Sequence, residues 1–164
     1  MLGRITGRFA DVRALKALFE AAEAAALRDG QTVPGPEHIV VGALSLHDGA
    51  AARVLADVDI EPTSVEAAIR QAHAATLGLE DDDGPVPTPP VARTTPYRVT
   101  PSGERFLRRI HDVHVAEGGR LNGAIVLVAA AGLDAGVWPR VLAAAGVTPE
   151  QLRAAAREEL TRAT

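Results

Sequence analysis

The hydrophobic residues of this chain recur at helical rather than strand spacing. Between residues 11 and 28 the apolar positions are 12, 15, 18, 19, 22 and 26, which predicts an amphipathic helix. Residues 39–46 and 124–131 are apolar on nearly every side and predict two buried central helices. Their β-branched runs are short and no partner strands are evident, so helix is predicted for both. Further helices are predicted over 50–58, 62–77, 100–117, 137–145 and from 148 onward.

Helix-start residues support these predictions. Pro36 stands in the first turn of the second helix with Glu37 beside it, near the positive end of the helix dipole. Thr100 precedes Pro101, and Thr148 precedes Pro149, the order expected for an N-cap followed by the first helical residue. The predicted fold class is therefore all-α with eight helices.

A proline-rich segment divides the chain. Residues 78–96 contain five of the eleven prolines and the acidic triplet at 81–83. Neither helix nor sheet runs through such a composition, which predicts an exposed linker. The predicted organisation is residues 1–77, a linker at 78–96, and residues 97–164, with both halves forming one globular domain.

The two halves are similar in sequence when one is shifted by 87 residues. Over residues 46–70 and 133–157 ten of 25 positions are identical, among them Gly49 with Gly136 and Pro62 with Pro149. The shared run Arg-Val-Leu-Ala begins at Arg53 and again at Arg140. Glycine, arginine and proline matches are not explained by the high alanine content, so we interpret the halves as a duplication.

Composition narrows the function classes. The chain has no cysteine, which excludes disulfides, cysteine-ligated zinc and a thiol nucleophile. Its net charge of −4 argues against general binding to nucleic acid or anionic membranes. No apolar run reaches the length of a transmembrane helix, and no signal peptide is evident, so a cytoplasmic location is expected.

Several motifs resemble the Clp (Hsp100) N-terminal repeat domain, most closely the ClpC type of actinobacteria. The run from Gly35 to Leu44, G-P-E-H-I-V-V-G-A-L, resembles the family signature G-T-E-H-[IL]-L-L-G-L. The run from Gly49 to Leu55 resembles the G-V-A-A-x-V-L that follows it, and Val99-Thr100-Pro101 resembles the F-T-P that opens the second repeat. The resemblance implies two pseudo-symmetric four-helix repeats.

The resemblance also implies a non-enzymatic recognition module without a cofactor or metal. Its expected partners are Clp unfoldase or protease components, their substrates and adaptors, or a cyclic peptide antibiotic, with regulation or decoying of the Clp protease system as the role. In the ClpC type each repeat docks phosphoarginine, with the motif Glu on the guanidinium. Here Glu37 is that residue, and its counterpart in the second repeat is Ala124. The ligand-binding residues implied are Glu37, His38, Phe9, Phe19, Tyr97, Val99, Thr100 and Glu104.

Two other function classes stay open. His111 and His114 share one helix face with Glu117 one turn further on, a pattern that could serve a metal-dependent hydrolase. Alternatively, an exposed apolar patch around Trp138, the only tryptophan, would favour a scaffold, although core packing of Trp138 is the preferred interpretation. His47 and His73 stand isolated in the sequence. The chain lacks a phosphate-binding loop motif, so it is either a free-standing domain or a piece of a longer protein. Its single lysine and 32 alanines suggest a divergent paralogue and favour the free-standing protein.

Overall fold

The chain is all-helical, as predicted. A computed structural model describes the backbone of residues 2–77 and 97–163, and the side chains of 11–76 and 97–163. These ranges contain eight α-helices and no strand: α1 Leu2–Arg28, α2 Pro36–Leu44, α3 Ala50–Asp57, α4 Val65–Leu77, α5 Pro101–Glu117, α6 Gly123–Ala130, α7 Val137–Ala144 and α8 Pro149–Arg162. A 3₁₀ turn, Pro62–Ser64, leads into α4. The predicted linker at 78–96, with its acidic triplet, lies outside the described residues.

The predicted helix starts are confirmed. The Thr100 side chain accepts a hydrogen bond from the Gly103 backbone N–H, with Pro101 at the first helical position. Thr148 and Gln151 form a reciprocal capping box at the start of α8. These caps satisfy backbone N–H groups that a helix leaves without an internal partner.

The first helix is longer than the apolar pattern predicted. It begins at Leu2 instead of near residue 11. No proline interrupts residues 2–28, so nothing in the chain forces the helix to start late. Asp11 therefore lies inside α1, where its Oδ1 accepts a hydrogen bond from the Leu121 backbone N–H at 2.9 Å.

The core is built around α2 and α6. Every residue of α6 is buried, and α1 and α5 pack on α2 and α6, respectively. Gly42 permits the close approach of α2 to α1, since a Cβ at this position would lie 2.6 Å from the Leu18 carbonyl oxygen. Trp138 is buried in the core, which confirms the preferred interpretation, so it forms no exposed apolar patch.

The two halves interlock. Helix α3 packs against α6 and α8, and α7 packs against α4, so each half contacts helices of the other. Arg53 on α3 donates its Nε–H to Oε1 of Glu159 on α8 at 2.8 Å. Glu159 is buried and the Arg53 side chain is 55 % exposed, so this pair lies at the edge of the contact between the halves.

No helix within the described residues has both the length and the apolar character needed to cross a membrane.

Candidate functional site

The carboxylate of Glu37 is engaged within the chain. Glu37 lies in the first turn of α2, directly after Pro36, and its side chain is 12 % exposed. Its Oε1 lies 3.2 Å from Nε2 of His73 and 3.5 Å from Nδ1 of His38. His73 belongs to α4, so this contact joins the motif carboxylate at the start of α2 to a helix that begins 28 residues later.

The imidazole of His38 has both nitrogens occupied. Its Nδ1 accepts a hydrogen bond from the Gly35 backbone N–H at 3.0 Å, and its Nε2 lies 3.0 Å from Oδ2 of Asp29. Because Nδ1 accepts, Nε2 carries the proton and donates to the carboxylate. His38 is 2 % exposed, so it is a buried residue that fixes the loop before α2 to the end of α1.

His73 lies between two carboxylates. Its Nδ1 is 2.5 Å from Oδ2 of Asp29, on the opposite edge of the ring from Glu37. Contacts with Asp29 and then with Glu37 outweigh burial and raise the pKa of His73 to about 9. The expectation that His73 is isolated is wrong, because α4 brings it to both acids.

The pKa values of the two acids, Asp29 and Glu37, are lowered. Burial acts to raise the pKa of Asp29, but the hydrogen bond from His38 and the close contact with His73 prevail and lower it to about 2. Burial likewise acts to raise the pKa of Glu37, and the His73 contact together with a backbone hydrogen bond lowers it below its usual range. At neutral pH the cluster therefore holds two carboxylates and a protonated His73.

Three residues of this cluster are of the types that bind metal ions. Asp29, His38 and His73 place one potential ligand atom each within 4.8 Å of the others. A metal on Nε2 of His38 would move the proton to Nδ1, which then would face the Gly35 N–H, donor against donor. The hydrogen bonds of His38 therefore require a proton on its Nε2, where a metal ion would have to bind. This set of residues does not fit a metal ion.

The second repeat has no equivalent carboxylate. Ala124, the counterpart of Glu37, is fully buried in the first turn of α6. That turn is capped by Asn122, whose side chain accepts a hydrogen bond from the Ile125 N–H.

The loops before α2 and α6 hold the two long helices in related ways. The Thr100 backbone N–H, at the start of α5, donates to the Pro34 carbonyl at 3.0 Å. Leu121, which is Pro34 shifted by 87 residues, donates its N–H to Asp11 of α1. The two contacts differ in direction, since Pro34 accepts from a backbone N–H whereas Leu121 donates to a side-chain carboxylate. They also differ in the helix that is held: α5 begins at this point, whereas α1 runs through it. Only the second repeat therefore presents a helix start there.

The predicted aromatic residues Phe19 and Tyr97 meet. Their rings stack with centroids 5.1 Å apart and an angle of 16° between the planes. The Tyr97 hydroxyl also donates to Glu20 at 3.3 Å. This pair anchors the chain that enters α5 onto the side of α1.

The other predicted residues are spread along the start of α5 and α1. Val99 is half-buried against Gly103, and Glu104 is exposed with a distant ion pair to Arg108 at 3.8 Å. Phe9 lies in α1, and its side chain is outside the described residues. The predicted ligand-binding set thus falls into a closed cluster at Glu37 and His38 and a more open region along α1 and α5.

An apolar groove runs between α1 and α5, with a volume of about 370 Å³. Its apolar lining comes from both helices and the segment before α6: Val12, Leu15, Phe19, Leu107, Ile110 and Leu121. Asp11, His111 and His114 supply its polar lining. Val12 is 65 % exposed and Leu15 is 40 % exposed, so the helices leave apolar surface open to solvent here.

The alternative metal site on α5 lacks its third ligand. The Glu117 carboxylate binds Arg157 of α8 at 3.0 Å, and His114 Nε2 lies 3.2 Å from the Gly119 carbonyl oxygen. In the part of the chain that the structure describes, the residues whose potential ligand atoms lie within 4.8 Å of one another are Asp29, His38 and His73. The set on α5 does not meet this distance. The histidines of α5 instead line the groove.

Sequence reasoning identified Glu37 but missed His73, which contacts it, and Asp29, which contacts both histidines of the cluster. Asp29 follows the last residue of α1 directly, and nothing in its sequence neighbourhood indicates a histidine partner. His73 follows Val65 and Ile69 at helical spacing, and both of these are buried. A histidine on the buried face of α4 was therefore the available signal that it needed an internal partner.

Comparison with known proteins gives one family. The model of the Clp repeat (R) N-terminal domain matches residues 12–95, about half of the chain. The matched region includes α1 from Val12, the loop with Glu37, and α2 to α4. No curated protein matches the chain at a significant level.

Proposed function

The chain belongs to the Clp repeat N-terminal domain family, and we propose that it binds extended, apolar segments of proteins in the groove between α1 and α5. The family is one of non-catalytic interaction domains, which makes this chain an interaction module related to a Clp system. The groove gives that general role a specific surface. The partners proposed are substrates, adaptors or other components of a Clp protease system.

The observation that carries the proposal is the open apolar lining. A volume of about 370 Å³ is within the range of sites that hold small ligands or a few side chains. Val12 and Leu15 stand one turn apart on α1 and are both exposed, although leucine and valine are commonly buried. Burying such residues against apolar side chains of a partner would release water and favour binding.

Charged residues on the exposed sides of the two helices suit a mixed peptide. Lys16 on α1 pairs only loosely with Glu20, at 3.6 Å, and Arg108 on α5 pairs with Glu104 at 3.8 Å. Both cations are largely exposed, so these pairs contribute little and can be exchanged for contacts with a ligand. Exposed groups of both signs thus stand on the two helices, and a segment with apolar residues and flanking charges is the favoured occupant. A cyclic peptide antibiotic would use the same apolar contacts.

The phosphoarginine interpretation is less well supported by the contacts. The Glu37 carboxylate is paired with His73, and the second repeat has Ala124 in the corresponding place. Moreover, α1 does not begin beside the loop before α6, so the turn around Asp11 has its N–H groups committed within the helix. These three features favour the groove over a guanidinium-phosphate site as the main recognition surface.

A paired substitution tests the proposal. Val12→Glu places a charge in the groove, whereas Val115→Glu makes the same change on α5, at a valine of similar exposure that does not line the groove. The probe is fluorescein-labelled, reduced and carboxymethylated α-lactalbumin, an unfolded protein, followed by fluorescence anisotropy. We expect Val12→Glu to weaken binding about five-fold or more, since one misplaced charge costs at least about 1 kcal/mol.

The Val115→Glu variant is the control for an added charge outside the groove. Val115→Glu should bind within two-fold of the unchanged protein, and circular dichroism should show that both variants are folded. Equal binding by all three proteins, or no binding of the unfolded probe by any of them, would contradict the groove as the recognition surface.

A further inference from the structure

The α1–α5 groove has an apolar end and a polar end. Tyr97, in the segment that enters α5, stacks on Phe19 of α1, whereas the Leu121 backbone N–H, in the segment that leaves α5, donates to Asp11 of α1. The start of α5 therefore lies beside Phe19 and its end beside Asp11, so the two helices run antiparallel along the groove. The polar lining consists of Asp11 and two histidines in the second half of α5, which places all three residues toward the same end.

The two histidines of the polar end, His111 and His114, stand on successive turns of α5. His114 Nε2 lies 3.2 Å from the Gly119 carbonyl oxygen and so carries a proton, which leaves Nδ1 as the site for a second one. His111 is exposed and has no hydrogen-bond or charged partner among the described residues. Each imidazole can therefore gain a proton without breaking a contact. Histidine is the side chain whose charge ordinarily changes between pH 5 and 8.

The fixed charge at this end of the groove is small. Within the part of the chain that the structure describes, Asp11 is the charged residue of the lining. Neighbouring charged residues on the same elements stay outside the lining: Arg13 and Lys16 on α1, Arg108, Asp112 and Glu117 on α5, and Arg120 before α6. Glu117 is held by Arg157 of α8 at 3.0 Å. The lining therefore has one negative charge while both imidazoles are neutral and one net positive charge when both are protonated.

The distance between the two ends sets how a segment lies in the groove. Asp11 and Phe19 are eight residues apart in α1, which corresponds to about 12 Å along a helix and to about four extended residues of a ligand. A segment whose apolar side chains fill the end at Phe19 therefore brings its next residues to the two histidines. A charge on those residues meets a lining whose net charge has the sign that the histidines determine.

We propose that His111 and His114 select the residues that follow the apolar part of a bound segment, and that they favour acidic residues once both imidazoles are protonated. The inference rests on the proposed groove and adds a direction and a charge preference to it. The favoured partner in mildly acidic conditions is thus a protein segment with an apolar run followed by glutamate or aspartate. At pH 7.5 the Asp11 carboxylate instead favours a lysine or arginine in the same place.

Three peptides test the inference. Each has the same run of four apolar residues and ends in two glutamates, two glutamines or two lysines, with fluorescein at the apolar end and an amide at the other. Kd values are measured by fluorescence anisotropy at pH 5.5 and 7.5, at constant ionic strength and with up to 1 mM protein. We expect the ratio of the lysine-peptide Kd to the glutamate-peptide Kd to be about five-fold or more higher at pH 5.5, because two new ion pairs form with the glutamate peptide.

Two variants separate the histidines from other effects of pH. His111→Gln/His114→Gln keeps an N–H donor at both positions but takes up no proton, so its Kd ratio should be nearly the same at both pH values. If circular dichroism shows that this double variant is not folded, His111→Gln alone, at an exposed position, should lose part of the change. His47→Gln removes an exposed histidine outside the groove lining and should retain the full change.

The outcomes distinguish this inference from the groove itself. If none of the three peptides binds at either pH, the groove is contradicted and the inference falls with it. If the peptides bind but the Kd ratio does not rise at pH 5.5, or rises equally in the histidine variants, the inference is overturned while the groove stands.

Discussion

The Nε2 atom of His73 lies 3.2 Å from Oε1 of Glu37, across the interface between α4 and α2. This contact ties the acid of the family motif to a residue outside the motif. It also fixes α4 onto the α1–α2 pair through a charge-assisted contact in a largely buried place. The motif glutamate of this chain therefore has a structural role at neutral pH, whichever ligand the protein binds.

The His73 contact predicts an alkaline loss of stability. The pKa of His73 is about 9 in the folded protein and 6.5 in the unfolded chain, so its contribution is complete below pH 6.5 and is lost as the pH rises through 9. We expect the free energy of unfolding to fall by about 1–2 kcal/mol over this range, allowing for partial solvent screening. Urea denaturation at several pH values measures it. His73→Gln should flatten the dependence; an unchanged slope in that variant would count against the contact.

Asp29, the acidic partner of His73, predicts a loss of stability at low pH. The pKa of Asp29 is about 2 when folded and 3.8 when unfolded, so its contribution is present above pH 3.8 and is lost as the pH falls through 2. Asp29→Asn removes this contribution and leaves His38 and His73 without their shared acceptor charge. It should lower the midpoint of urea denaturation at pH 7 and reduce the acid sensitivity between pH 4 and 2. An Asp29→Asn protein as acid-sensitive as the unchanged one would contradict this assignment.

These contacts mark the limit of what the sequence could predict. Local signals determined the helix starts at Thr100 and Thr148, because a cap and its helix are neighbours in sequence. The contact of His73 with Glu37 depends on how α4 packs on α2, which no local pattern specifies. The hydrogen bond between Asp11 and the Leu121 N–H was missed for the same reason, since these residues are 110 positions apart in the chain.

Close packing of α1 on α2 predicts a large effect of one methyl group. A Cβ at Gly42 would lie 2.6 Å from the Leu18 carbonyl oxygen, which is backbone and cannot turn aside. Gly42→Ala should therefore destabilise the protein by about 1–3 kcal/mol, or more. Gly132→Ala is the matched control, since the nearest atoms there belong to the flexible Arg109 guanidinium. Thermal denaturation of both variants measures the difference, and equal midpoints would show that α1 and α2 are not so close.

The duplication predicts a stabilising change. Asp59 has a φ of 60°, in the left-handed region, and its counterpart 87 residues later is Gly146 with a φ of 71°. The turns correspond, since Ile60 N–H bonds the Leu55 carbonyl as Val147 N–H bonds that of Leu142. Because glycine adopts this conformation without strain, Asp59→Gly should raise the free energy of unfolding by about 0.5–1 kcal/mol.

The same turn offers its own control. Gly146→Ala places a side chain in the left-handed conformation and should lower the free energy of unfolding by about 1 kcal/mol. Urea denaturation of the two variants should therefore move in opposite directions. A destabilised Asp59→Gly protein would mean that the aspartate makes a contribution beyond its backbone geometry.

The surface that meets a partner is the central question, and amide chemical-shift mapping addresses it directly. The ¹⁵N-labelled protein is titrated with unlabelled, reduced and carboxymethylated α-lactalbumin while ¹H–¹⁵N correlation spectra are recorded. The account predicts that the perturbed amides cluster on residues 11–19 of α1 and 107–114 of α5, which line the groove. Perturbations centred on residues 35–38 at the start of α2, with the α1–α5 face unchanged, would contradict it.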